Sequence, residues 1–267
     1  MQDVQKVGVS DMAKALDSMP TYEGWTHNLK SVPIENRQAF ELTNRTIASR
    51  VLQKVFAART VVFELFLELC KELDGGLTER HKLMWLMFQL SESLVPGANY
   101  RHPFNYVINE GLVGASTDTL SKVIDRRLEG ISQKLQTKYI VYVIDEAQQA
   151  ARRYPSAFMS SDGRTMRSAL REITRVAVQG PIKLVLSGTG LSLEEAESVL
   201  ASGISKPRTQ DFQPVHNLGG FDNWTSLEPF MRRYVPDFVL DSRSGQHLQH
   251  RIRQYLLGRP ANFILLV

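Results

Sequence analysis

The 267-residue sequence contains a single cysteine, Cys70. One thiol excludes a disulfide within the chain and a cysteine-based zinc site, and it fits a reducing compartment. On an apolar helical pattern it reads as a small buried hydrophobe. Long apolar runs are absent too. Val61-Val62-Phe63 and Leu65-Phe66-Leu67 are interrupted by Glu64 and Glu68, so no membrane span is expected. The start, Met1-Gln2-Asp3-Val4-Gln5-Lys6, has no apolar segment behind a basic end, so no secretory signal is read there and an intracellular place, cytoplasmic or nuclear, is expected. The six histidines show no metal-ligand spacing with carboxylates, and Trp25, Trp85 and Trp224 are too scattered for a base-stacking platform. There is no internal repeat and no low-complexity tract. Finally, no glycine is followed by lysine anywhere. The G-x-x-x-x-G-K-[ST] loop that cradles a nucleotide's phosphates is therefore missing.

What is present suffices for a packed core. Hydrophobic residues make up 43% of the chain, and the net charge of +4 permits nucleic acid as a partner without requiring it. Ser10-Asp11 caps a short helix ending near Leu16. From about Glu41, apolar residues recur at three- and four-residue steps through Ile47, Val51, Val55, Val62, Phe66 and Cys70, a long helix stopped by Asp74-Gly75-Gly76. Thr78 caps the next helix, whose inward stripe is expected at Leu83, Leu86, Met87 and Leu90. A third starts near Ser116, with Leu120, Val123, Ile124, Leu128 and Ile131 on one face. Then the texture changes. Tyr139 to Ile144 is short, apolar and β-branched or aromatic, as is Ile182 to Leu186. Both read as strands buried on both faces, as in a parallel sheet. A helix around Met166 to Ala177 lies between them, and another is expected from the capping box Ser192-Leu193-Glu194-Glu195 to near Gly203. The last third reads as a strand at Gln213 to Asn217, a helix near Trp224 to Tyr234 with Pro229 in its first turn, and a helix over about Ser242 to Leu257. Alternating strands and helices predict an α/β fold with right-handed crossovers, which place the carboxyl ends of both strands at one edge.

That edge carries the chemistry. Asp145 and Glu146 follow the first strand in Val143-Ile144-Asp145-Glu146-Ala147-Gln148. An Asp at a strand end can hold Mg²⁺ through its water shell, and an adjacent Glu can orient and deprotonate an attacking water. The same pair also suits the start of a helix, where carboxylates favour the N-terminal dipole. The second strand runs into Ser187-Gly188-Thr189-Gly190. Ser187 or Thr189 could touch a phosphate or the attacking water, or the glycines could simply shape a turn.

These strings, with Val9-Ser10-Asp11-Met12, Asn44-Arg45-Thr46-Ile47-Ala48-Ser49-Arg50, Gly114-Ala115-Ser116, Leu191-Ser192, Met231-Arg232-Arg233-Tyr234 and Tyr255-Leu256-Leu257-Gly258-Arg259, occur in an order spread over most of the chain. The ordered set resembles the P-loop NTPase domain of fungal proteins related to the Crinkler effectors. The resemblance implies an incomplete P-loop NTPase-like parallel sheet flanked by helices, with a helical C-terminal part. Residues 1–212 would be a truncated core, and 213–267 the last core strand and the start of a lid-like region. It implies that the first strand, the phosphate loop and the next strand precede the counterpart of Ser10-Asp11, and that the chain begins inside that gap. It carries over Asp145 as the metal-side residue, Glu146 as the catalytic base and Ser187 or Thr189 as sensor. ATP and Mg²⁺ are the implied cofactors. Without the phosphate loop, ATP should bind at roughly millimolar Kd, about 4 kcal/mol.

Arg232 and Arg233 are candidates for an arginine reaching the γ-phosphate, or belong to a solvated helix face. Arg152, Arg153, Arg164, Arg167, Arg171 and Arg175 form a basic stretch, the last four at helical spacing. This makes an interaction or nucleic-acid-binding module, working through residues 152–175, the alternative function; the bland reading is again a solvated face. A missing sheet neighbour would leave an apolar edge open to self-association.

Overall fold

The computed structural model describes residues 11–90, 103–137, 140–160, 163, 165–178, 182–187, 223–234 and 236–256. The chain divides into two compact units, Met1–Arg208 and Thr209–Val267.

The first unit is built around one helix. After α1 (Asp11–Ser18), α2 runs unbroken over Arg37–Asp74. It stops at Gly75, whose φ of 74° is left-handed and whose amide closes back onto Lys71 O at 3.1 Å. The expected stripe is buried: Val51, Leu52, Val55 and Phe56 are at most 4% exposed. Asn44 is fully buried and fully used. Its amide donates to Thr26 O and Ala157 O, both at 2.7 Å, and its carbonyl accepts from Thr26 N at 2.9 Å. That pins two remote loops to α2 without leaving a buried polar atom unpaired.

α3 (Glu79–Leu90) turns a different face inward from the one expected. Leu83, Leu86 and Met87 are exposed; His81, Trp85 and Phe88 face the protein instead. Trp85 lies 4.6 Å from Phe63, 5.2 Å from Phe66 and 6.1 Å from Phe104 between ring centroids. Two large rings bury more area than the leucine stripe would, so they set the helix rotation. α4 (Pro103–Tyr106) leads into a wide turn over Val107–Gly111.

α5 (Thr117–Leu135) begins where Ser116 Oγ accepts from Thr119 N at 3.1 Å. Leu120, Ile124, Leu128 and Ile131 are buried as the periodicity predicts, and the helix lies along α2. A clamp ties the two together. Glu64 accepts from Arg127 at 2.7 Å and from Lys134 at 2.9 Å, and Lys134 also reaches Glu68 at 2.8 Å. Gly130 makes room for it, since a Cβ there would lie 2.8 Å from Glu64 Oε1.

The α/β expectation holds in its coarse form: the fold is mixed α/β and mainly helical, with a small parallel sheet. β1 (Ile140–Ile144) pairs in parallel with β4 (Ile182–Leu186), Ile140 opposite Ile182 and Ile144 opposite Leu186. Between them come α6 (Ala147–Arg152), the antiparallel pair β2 (Phe158–Met159) and β3 (Met166–Arg167), and α7 (Ala169–Val178). The strands are not buried on both faces. Ile140, Tyr142, Ile144, Leu184 and Leu186 pack on the core, with Phe56 edge-on to Tyr142 at 5.3 Å. Val141, Val143 and Val185 face outward, Val143 at 64% exposure.

Two further expectations fail for identifiable reasons. Met166 and Arg167 are in β3 rather than the helix, because Ser160 N and Thr165 O close a turn between β2 and β3 at 2.8 Å. The basic helical face also dissolves. Arg164 lies outside the described residues. Arg171 is 5% exposed and donates to Met159 O at 3.0 Å, while Arg175 donates to Glu172 at 2.7 Å and to Ser49 at 2.6 Å. Glu172 is fully buried and supplies the countercharge these arginines need inside. Arg153 pairs with Asp17, next to Tyr154, whose hydroxyl donates to Leu16 O at 2.8 Å.

The second unit contains α8 (Trp224–Tyr234), α9 (Asp237–Leu240) and α10 (Arg243–Leu256). Pro229 sits in the second turn of α8, one turn later than expected. Arg253 stacks its guanidinium 3.9 Å over the Trp224 ring. The strand expected at Gln213 to Asn217 and the helix at Ser192 to Gly203 lie outside the described residues. Among the described residues, no helix is long and apolar enough to cross a membrane.

Candidate functional site at the carboxyl edge of the parallel pair

The β1–β4 register continues one step past its last strand pair and brings Asp145 beside Ser187. Ser187 N donates to Ile144 O at 2.9 Å, and Ala147 N donates to Ser187 O at 2.8 Å. The two strand ends are thus fastened by backbone, and side chains are added on that base. Ser187 Oγ donates to Asp145 Oδ1 at 2.5 Å. The same oxygen accepts from Glu146 N at 3.0 Å. Among the described residues, no donor reaches Asp145 Oδ2.

Glu146 adopts φ 53° and ψ 38°, the left-handed region, immediately before α6. For a residue with a Cβ this costs on the order of 1 kcal/mol or more and persists where its surroundings over-determine it. Here the Asp145 side chain holds the Glu146 amide on one side. On the other, Gln148 Nε2 donates to Glu146 Oε2. Gln148 is 5% exposed, and its Oε1 is buried without a hydrogen-bond partner. Gln148 stood inside the acidic string without a role. Its spacing, two residues after Glu146 on the first turn of a helix, is the signal that could have marked it.

Asp145, Glu146 and Ser187 therefore meet at one edge. Thr189 lies outside the described residues. Arg232 is in the second unit, where three carboxylates hold it: Glu228 at 2.9 Å, Asp237 at 2.7 Å and Asp241 at 3.2 Å. The hydrogen bonds it donates to Asp237, Glu228 and Asp241 push its pKa further up. The Arg233 side chain lies outside the described part of the structure. No family model matches the chain, and no characterised protein or solved structure matches it either.

Among the described residues there is no group of three His, Cys, Asp or Glu side chains arranged to hold a metal directly. The donor set still suits a hydrated Mg²⁺, which keeps most of its waters and asks for one or two carboxylate oxygens. The free Asp145 Oδ2 offers one. The same residues do not suit a triphosphate. Asp145, Glu146, Gln148 and Ser187 carry no positive charge, and the sequence has no phosphate loop.

Proposed function

We propose that this edge is the metal-and-water half of a nucleoside-triphosphatase-type site, as the resemblance to Crinkler-related P-loop NTPase domains implies. The observation that supports it best is the Ser187–Asp145 hydrogen bond across parallel strand ends. Ser187 fixes the rotamer of Asp145 and leaves Oδ2 to accept from water molecules of a hydrated cation. Mg²⁺ there would supply positive charge against an anionic substrate. Glu146, held outward by its left-handed backbone and by Gln148, is placed to orient a water and take its proton. No step is assigned to the phosphates, because no described residue at this edge would hold them. Catalysis by this chain alone is accordingly not expected. Of the arginines a nucleic-acid-binding module over 152–175 would use, Arg171 and Arg175 are instead spent inside the core. For self-association, the outward valines of the β1–β4 pair are the surface we favour.

Calorimetric titration with Mg-ATP tests the reading. The expected Kd is roughly millimolar or weaker, and Asp145→Asn should remove the Mg²⁺ dependence of whatever binding is seen. Should slow hydrolysis be measured, Glu146→Gln should abolish most of it while sparing binding. Micromolar affinity indifferent to Asp145→Asn, or turnover indifferent to Glu146→Gln, would sink the proposal.

A further inference from the structure

A second place in the first unit collects charge without neutralising it. A cavity of about 350 Å³ opens between α1, α2 and the segment around residues 108–114. Its wall is formed in part by Arg50 and Lys54 of α2, one helical turn apart and hence on one face. Two cations so placed repel one another, and in this protein the usual remedy is a carboxylate. Arg171 and Arg175 have Glu172; Arg127 and Lys134 have Glu64. Among the described residues, Arg50 and Lys54 have none. Arg50 Nε is buried and makes no hydrogen bond. Burial, with the Arg50 charge added, holds the Lys54 amine below its usual pKa. A buried guanidinium donor left unsatisfied costs roughly 1–3 kcal/mol or more, so its retention asks for an acceptor.

The rest of the wall says what kind of acceptor. Val51 and Ile108 supply apolar surface, and Tyr22 and Asn109 supply an aromatic ring and an amide. A volume of this order is that of a small-molecule pocket, where a few polar groups orient a partly apolar ligand. A planar guanidinium beside an ammonium is a recurrent arrangement for phosphate oxygens. None of the lining residues belongs to the Asp145 edge. Two of the strings singled out in the sequence, ending at Arg50 and beginning at Gly114, meet here.

We propose that this cavity binds a phosphate monoester of a small, partly apolar molecule, with Arg50 and Lys54 holding the phosphate. Titration calorimetry of the full chain with phenyl phosphate, inorganic phosphate and phenol is the experiment. Phenyl phosphate should bind saturably, more tightly than either of the other two. Arg50→Gln should weaken it about tenfold or more, the factor that about 1.4 kcal/mol represents, and Lys54→Gln about threefold or more. Lys122→Gln, an exposed change elsewhere, and Asp145→Asn should leave it unaltered. If Arg50→Gln does not fold, Lys54→Gln carries the test. Trinitrophenylation of the Lys54 amine by trinitrobenzenesulfonate, which releases sulfite and is read by peptide mass, should be suppressed by phenyl phosphate over the same concentration range as binding. Absence of saturable binding, wild-type affinity in folded variants at both positions, or unprotected Lys54 would overturn the site. Equal affinity for inorganic phosphate and phenyl phosphate would overturn the assigned ligand class.

Discussion

The two faces of the β1–β4 pair are made of similar residues and have opposite fates. Ile140, Tyr142 and Ile144 point to the core, while Val141 and Val143 on the same strand point to solvent. Apolar residues on both sides are the signature of a strand covered twice. In the described structure one covering layer is present, with α7 packed on β4 and Phe56 of α2 on Tyr142. The difference teaches that composition states how much apolar surface a strand offers, while packing partners decide how much is used. The candidate acidic site therefore stands on a sheet with one firm face and one bare one.

The largest expected effect comes from breaking the firm face. Phe56→Ala removes a ring that is 1% exposed and packs edge-on against Tyr142. It should cost about 3–5 kcal/mol, a large share of a typical domain's stability of about 5–15 kcal/mol. Val143→Ala, one residue from Tyr142 but outward, should stay within about 0.5 kcal/mol. Chemical denaturation of both variants measures the contrast; similar losses would show that the outer face is covered in solution.

Next in size is association. With Val141, Val143 and Val185 bare, light scattering should give a mass that rises with concentration. Val143→Lys should lower it without lowering the melting temperature. A monodisperse wild-type monomer, or a Val143→Lys variant that associates equally, would remove the bare face from the account.

The smallest effect concerns a region away from the sheet, the α2–α5 clamp. Burial alone would raise the Glu64 pKa, but the hydrogen bonds from Lys134 and Arg127 outweigh it and hold the carboxyl below its usual range. A depressed folded-state pKa contributes stability that is full above the unfolded value and fades as pH falls through the folded one. Glu64→Gln should therefore cost about 1 kcal/mol at pH 7, with the gap from wild type closing below about pH 4.5. A gap that stays constant down to pH 3 would mean that the pairing contributes nothing.

Much of this scaffold was legible in the sequence. The α5 stripe Leu120, Ile124, Leu128 and Ile131 obeys helical periodicity and is buried. The parallel pairing of the two strand segments followed from β-branched runs separated by helical pattern. Asp145 and Ser187 met because a parallel register puts both strand ends at one edge. The misreadings share a cause, which is that periodicity assigns a face without naming its partner. Leu83 and Leu86 lost to Trp85 because three phenylalanines offered a larger aromatic contact. The arginines at helical spacing looked solvated because Glu172, in their midst, gave no sign of being the buried countercharge. Arg50 stands in the sequence only as the end of one string, for the converse reason: lacking an ion-pair partner is a property of three-dimensional surroundings.

The unbroken length of α2 has a kinetic meaning. Its 38 residues extend roughly 57 Å at 1.5 Å per residue, too far for one core to enclose. Between Ile47 and Val62 the helix buries most of its core residues, so the amide protons there should exchange with solvent only when the whole unit opens. Past the Glu64 clamp, Leu65, Leu69 and Leu73 face water, while Trp85 of α3 packs on Phe66. There the helix end and α3 can part from the rest and exchange sooner. One continuous helix thus carries two clocks, and the boundary between them falls near the carboxylate that joins α2 to α5.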